Sequence, residues 1–334
     1  MADTPRRTVS QDDSLPPVEP PNAAFLVQLF LVPGVIVAII VCVWLAFHWL
    51  AHLGSDPQAY VKTLRRDNEG RWQAALNLAN DLRGPGGAAL KSDASLATEL
   101  GRILGDESTS GRTGEQSQTL RLYLCRALGE FAIPAAAEPL VERARAISDP
   151  QTARAAVEAL AVLATNLTVA GRSFDDAAGV TAAVVAASQS DDAQLRSATA
   201  FTLGVLGGDA AIERLGQLAG DSAEDVRFNA ALAQARQGRV ESYDTLSEML
   251  ALPDVVVGPD AAADMTAQSR RYKRALVVVN ALRGLALLVD TTHEPPPKQL
   301  LESVEQLTRD PVGDVRTSAT AVLEKIKRLS KQPT

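Results

Sequence analysis

Three histidines and two cysteines are the whole supply of imidazole and thiol in a chain of 334 residues. His48 and His52 stand four positions apart, so on a helix they share one face, the geometry of a two-histidine metal or haem site. The nearest further soft ligand, Cys42, lies about 9 Å along the same helix at 1.5 Å per residue, too far to close a compact site. The third histidine, in "THEPPPKQL", is followed by Glu294 in a Pro-rich loop, and one such pair falls short of the convergent ligands of a carboxylate-histidine iron site. "GPGG" at Gly84 lacks the lysine and the strand-to-helix order of a phosphate-binding loop and reads as a flexible turn. No serine elbow, Cys-X-X-Cys or zinc-ligand spacing occurs. Cys42 and Cys125 are too few and too far apart for a disulfide framework, which fits a reducing compartment and two small buried hydrophobes. The expectation is a non-enzyme with no catalytic, cofactor-binding or metal-binding residues and no evident small-molecule substrate.

The elements that must position the remaining residues follow from composition. Apolar residues make up 46% of the chain and aromatics only 4%, with Ala and Leu dominant and Arg outnumbering Lys. That is the make-up of packed helices and predicts an all-α fold. A net charge of −7 and the absence of a basic stripe argue against nucleic acid as a partner.

Residues 1–22 are rich in Pro, Asp and Ser and poor in large apolar side chains, so they read as a disordered polar tail. Residues 23–53, "AAFLVQLFLVPGVIVAIIVCVWLAFHWLAHL", carry no charge and exceed the twenty or so residues that span a bilayer as a helix. The run is too long, and too polar in what precedes it, for a cleavable signal peptide, so it predicts one transmembrane anchor helix in the lipid bilayer. Trp44, His48, Trp49 and His52 gather at one end, where amphipathic rings sit at a lipid-water boundary. Pro33-Gly34 marks a kink or a helix start. Arg6 and Arg7 lie far before the run, whereas Lys62, Arg65, Arg66 and Arg71 follow closely. The positive-inside rule then predicts a single-pass protein of the plasma (inner) membrane with its C-terminal part in the cytoplasm.

Beyond the anchor one motif recurs. Aligned on its arginine it reads "LRLYLCRALGEFA" (Arg121), "ARAAVEALAVLA" (Arg154), "LRSATAFTLGVLG" (Arg196), "VRFNAALAQARQG" (Arg227) and "VRTSATAVLEKI" (Arg316), with looser copies at Gly70 and Lys273. Apolar residues recur after each arginine at three-and-four spacing, as in Ala198, Phe201, Val205 and Ala319, Val322, Ile326, which predicts a helix with one buried stripe. Second helices are predicted over 134–147, 175–189, 209–218, 237–250 and 296–308. Asp192, Ser222 and Asp310 are placed to cap first turns, and Gly207 and Gly238 to end helices in the left-handed region. The period is that of stacked helix pairs, none of which can bury both faces alone. The expected organisation is a linker with degenerate first helical repeats over 54–114 and a solenoid over 115–330, interrupted by a long inter-repeat loop, 251–268. That loop is either a connector or a binding loop.

This pattern resembles HEAT repeats of the short bacterial type, the PBS-lyase-like HEAT repeats, from about Glu115 to Leu329. The resemblance implies an α-solenoid of HEAT-like helical hairpins, here preceded by one transmembrane helix. It also implies a polar ladder through the inner helices. Arg196, Arg227 and Arg316 would take the arginine role, Asp225 and Asp314 the acid role, and Arg121 and Arg154 stand at the same motif position as further ladder or partner-binding candidates. Among enzymes of this fold, deoxyhypusine hydroxylase needs repeated His-Glu pairs, bilin lyases a tetrapyrrole site, and HEAT-type DNA glycosylases a basic groove with aromatics, and this chain departs from all three. The expected function is a membrane-anchored scaffold that binds a protein partner, as an accessory subunit of a membrane complex. The alternatives are a PBS-lyase-like enzyme or chromophore-handling protein, and a regulatory subunit acting through its transmembrane helix on a transporter or protease.

Overall fold

The computed structural model describes residues 23–52, 57–66, 68, 70–255 and 265–329. The expected tail, 1–22, lies outside the described residues. The chain divides into two units, Met1–Ser55 and Asp56–Thr334.

Among its described residues the first unit holds one helix, α1 (Ala23–His52), of 30 residues and so about 45 Å long. The helix runs through Pro33 rather than starting there. Every described side chain on it is exposed, including all of Leu31–Phe47.

The second unit is built of helix pairs. They are α2 (Pro57–Leu64) with α3 (Arg71–Arg83), α4 (Ala94–Thr109) with α5 (Glu115–Gly129), α6 (Ala137–Arg145) with α7 (Pro150–Val169), and α8 (Ala177–Ala187) with α9 (Ala193–Leu206). Then follow α10 (Asp209–Leu218) with α11 (Glu224–Arg236), α12 (Tyr243–Leu250) with α13 (Met265–Thr292), and α14 (Lys298–Leu307) with α15 (Gly313–Leu329). No strand occurs among the described residues. Each odd-numbered helix from α3 packs on the next odd-numbered one, and the even-numbered helices pack likewise from α2 to α10 and from α12 to α14. The stretch 54–114 folds from Pro57 onward into the same kind of pair, with Leu64, Leu78, Leu82, Leu100 and Leu104 fully buried.

The core of the stack falls into two clusters that meet at α11. Val226, Ala230 and Ala233 face the first and Phe228 and Ala235 the second, as the 3.6-residue period demands of a helix clasped on two sides. Small residues let the odd-numbered helices approach closely. A Cβ on Gly129 of α5 would stand 2.9 Å from the Ala159 backbone of α7.

Local expectations are met in part. Asp192 caps α9 by accepting from the Leu195 N–H at 2.7 Å, and Gly207 closes it at φ 68°. Ser222 makes no cap for α11. Asp221, one residue earlier, accepts from the Ala223 N–H at 2.8 Å, and Asp310 likewise accepts from the Val312 N–H at 2.8 Å, so both hold the turn ahead of the helix. On α15, Ala319, Val322 and Ile326 form the expected buried stripe. On α9 the stripe is Leu195, Thr199, Thr202 and Leu203, whereas Phe201 is 43% exposed. The reason is that α7 and α11 flank α9 on both sides and leave the Phe201 position open. Residues 265–268 of the expected loop are already the first turn of α13, and 256–264 lie outside the described residues.

Among the described residues one helix passes both length and hydropathy tests for a membrane span, α13, with a mean hydropathy of 1.5 over its apolar window. Half of that window is buried inside the stack, where Val278, Leu282, Leu285 and Leu288 are fully enclosed, so its apolar residues serve the core.

Candidate interaction surface

The recurrent arginine stands fourth in its helix in α9, α11 and α15. In each case Nη1 donates to the carbonyls six and five residues earlier. Arg196 reaches Ser190 and Asp191 at 3.0 and 2.9 Å, Arg227 reaches Asp221 and Ser222 at 3.0 and 3.2 Å, and Arg316 reaches Asp310 and Pro311 at 2.7 and 3.0 Å. The turn carbonyls lack helical partners, and a guanidinium with five donors satisfies two of them and keeps three in reserve.

The reserve reaches the following repeat. Arg196 holds Asp221 with two parallel bonds of 2.8 and 2.9 Å, the side chains being 16% and 11% exposed. Arg121 contacts Asp149 at 3.3 Å and Thr152 at 3.3 Å, and Arg227 pairs with Glu248 at 2.6 Å. Arg274, in the looser copy at Lys273, sits 2.7 Å from Asp310 and donates to the Leu252 carbonyl at 3.1 Å. Arg154 is less enclosed and pairs with Gln194 and, at 3.8 Å, with Glu158. In the first pair, Arg71 bonds Glu107 at 2.8 Å.

A ladder therefore runs through the arginines, but its acids are Asp149, Asp221 and Asp310. Asp225 and Asp314 instead lie exposed on the first turns of α11 and α15. The carboxylate that meets the preceding repeat has to come from the turn, because the first helical turn already faces solvent. The overlooked signal was an Asp six residues before the arginine, at Asp221 and Asp310.

Electrostatics follow the contacts. The hydrogen bonds from Arg196 hold the Asp221 carboxyl below the usual range. Burial acts to raise Glu107, and bonds from Ser117 and Arg71 outweigh it and lower it. Bonds from Arg102 and then Arg65 bring Glu99 down to about 2. Burial pushes the Cys125 thiol up to about 12, far from a reactive thiolate. Among the described residues no three His, Cys, Asp or Glu side chains converge as metal ligands. Trp44 is exposed on α1, and His48, Trp49 and His52 belong to the same helix with side chains outside the described residues.

The exposed large apolar side chains of the helical stack are distributed unevenly. On the α-helices they are Val162 and Val169 of α7, Phe201 of α9, and Met265, Tyr272, Leu276 and Leu287 of α13, all in the odd-numbered row; Ile147 and Val240 stand in the connections, the latter in a single 3-10 turn. Of the grooves that open on that row, two pass these side chains. One, of 550 Å³, crosses α7, α9 and α11 past Arg154, Glu158, Ser197, Phe201 and Asp225. The other, of 710 Å³, runs between α13 and α15 past Arg271, Tyr272, Leu276, Arg283 and Asp314. Arg236 covers one face of the Phe201 ring at 5.5 Å, and Trp72 stacks on Tyr123 at 6.2 Å.

Residues 180–264 match the family model of HEAT repeats. No curated protein matches the chain. Among solved structures, an engineered protein aligns over 82% of this chain and 98% of its own, at 18% identity and a TM-score of 0.36. Human deoxyhypusine hydroxylase in complex with glycerol aligns over 81% of this chain and 96% of its own, at 18% identity and a TM-score of 0.30. Likeness at that level bears on no activity. Among the described residues the chain is all-α, and over 180–264 it resembles HEAT repeats, which suggest a protein-interaction scaffold.

Proposed function

We propose that this chain is a membrane-anchored HEAT-repeat scaffold that binds a protein partner along its odd-numbered helices, as an accessory subunit of a membrane complex. The observation that carries the reading is the confinement of exposed large apolar side chains on the stack's helices to the odd-numbered row. Solitary apolar residues are ordinary on a surface, but a one-sided distribution over three helices is the mark of a surface meant to be covered. Arg196 and Arg227 brace the stack, because their donors are engaged by turn carbonyls and by the next repeat.

The anchor rests on residues 23–53. Their uncharged sequence and the continuous, exposed α1 suit a hydrocarbon layer about 30 Å thick, whereas α13 carries several charged residues and half of its apolar window is buried inside the stack. The basic residues Lys62, Arg65, Arg66 and Arg71 favour a cytoplasmic stack at the plasma (inner) membrane.

The test combines fractionation with capture. The full chain is expected to stay with membranes through alkaline carbonate extraction and to co-purify a membrane protein after mild solubilisation. Phe201→Ala with Leu276→Ala should abolish the co-purification and leave membrane retention intact. Release by carbonate would overturn the anchor, and undiminished capture by the double variant would overturn the binding face.

A further inference from the structure

The groove between α13 and α15 has a charge opposite to that of the chain as a whole. Its charged lining is Arg271 and Arg283 against Asp314, in a protein of net charge −7. Arg283 is exposed and has no hydrogen bond or ion pair among the described residues. Arg271 meets only Asp254, at 4.0 Å, and its Nε is buried without a hydrogen-bond partner. Arg274 of the same helix differs, being buried in the ladder against Asp310, so the open basic groups are not part of the scaffold's own bracing.

The apolar side of the groove is equally uncommitted. Tyr272 is 71% and Leu276 47% exposed, and Val279 and Val312 lie deeper. Tyr and Arg are the residue types that dominate binding hot spots, and an apolar floor ringed by guanidiniums fits an apolar side chain flanked by carboxylates. A volume of 710 Å³ accommodates such side chains, whereas a flat layer of lipid headgroups would meet the rim charges and leave the floor unfilled.

We infer that this groove docks an acidic segment of the protein partner, with one apolar or aromatic side chain seated between Tyr272 and Leu276 and flanking Asp or Glu residues paired with Arg271 and Arg283. The inference rests on the reading of the odd-numbered row as a protein-binding face and specifies the chemistry of what binds there.

The test is selection of a random twelve-residue peptide library on the full chain in neutral detergent. Counter-selection uses Arg271→Glu with Arg283→Glu, and circular dichroism first confirms that this variant folds. Peptides lost on the variant are expected to be enriched in Asp and Glu around an apolar or aromatic residue. Their affinity should fall about tenfold or more with Tyr272→Ala, and should fall with rising salt. A basic or neutral pool, or a pool indifferent to the variants, overturns the inference. So does a variant that instead loses binding to phosphatidylserine vesicles, which would make the groove a lipid site, or one that abolishes self-association in sedimentation, which would make it a contact between copies. Partner capture that depends on Phe201 but not on Arg283 would leave the broader scaffold reading standing while this one fails.

Discussion

Replacing Asp221 by Ala removes the acid that ties α9 to the turn between α10 and α11. The carboxylate accepts two bonds from Arg196, at 2.8 and 2.9 Å, and one from the Ala223 N–H, at 2.8 Å. With the side chains 16% and 11% exposed, the pair lies nearer the buried than the surface limit. Breaking a buried pair costs about 3–5 kcal/mol and a surface pair about 0–1, so about 2–3 kcal/mol is expected here, at about 1.5–2 °C per kcal/mol for the unit Asp56–Thr334. Asp225→Ala, at the acid position the motif itself suggests, removes only an exposed first-turn carboxylate, and about 0.3–1 kcal/mol is expected. Thermal unfolding of the full chain in neutral detergent, followed by far-ultraviolet circular dichroism, should show a drop of about 3–6 °C for the first variant and about 2 °C or less for the second. The pH dependence has a definite sign. Because the folded Asp221 carboxyl is held below its unfolded value of about 3.9, its contribution is complete above that value and is lost as the pH falls through the lower folded one. The gap between wild type and Asp221→Ala should therefore be constant from pH 8 to 5 and close only in acid. Equal destabilisation by the two variants, or a gap that closes near neutrality, would refute the assignment of ladder acids.

The same packing and burial make further outcomes definite. Gly129→Ala should destabilise by about 1–3 kcal/mol in urea unfolding, because its new Cβ meets the Ala159 backbone at 2.9 Å and a gain of about 1 kcal/mol in helix propensity does not offset that. Phe131→Ala, at a fully buried ring, should cost about 3–5 kcal/mol in the same assay. Cys125, buried and with its thiol raised to about 12, should resist maleimide in the native protein and react on unfolding, as mass spectrometry would register. Ile39→Asp combined with Ile40→Asp should release the chain from carbonate-washed membranes, each carboxylate at mid-helix costing about 2.5–3.5 kcal/mol of insertion.

The helix pairs were legible in the sequence because burial on one side writes a three-and-four spacing, and the arginines because they recur at one helical position. The ladder acids were not, since Asp221 and Asp310 stand in turns, where no periodicity points to a partner, and the first-turn Asp225 and Asp314 mimic them. Phe201 was read as core for a related reason. A helix flanked on both sides by Ala-rich neighbours buries small residues, so its one large ring can be left outside, against the usual correlation of size with burial. The start of α13 was hidden by the Gly-, Pro- and Asp-rich run before it, and its apolar length, taken alone, would suit a membrane as well as the core it fills.

The central claim is that a partner lies along the odd-numbered helices. Photo-crosslinking amino acids placed one at a time at Phe201 and Leu276, and at Glu213 of α10 and Glu302 of α14, test it in intact membranes. The account predicts a discrete protein adduct from the first two positions and none from the others. Adducts from Glu213 or Glu302 with none from Phe201 and Leu276 would contradict it.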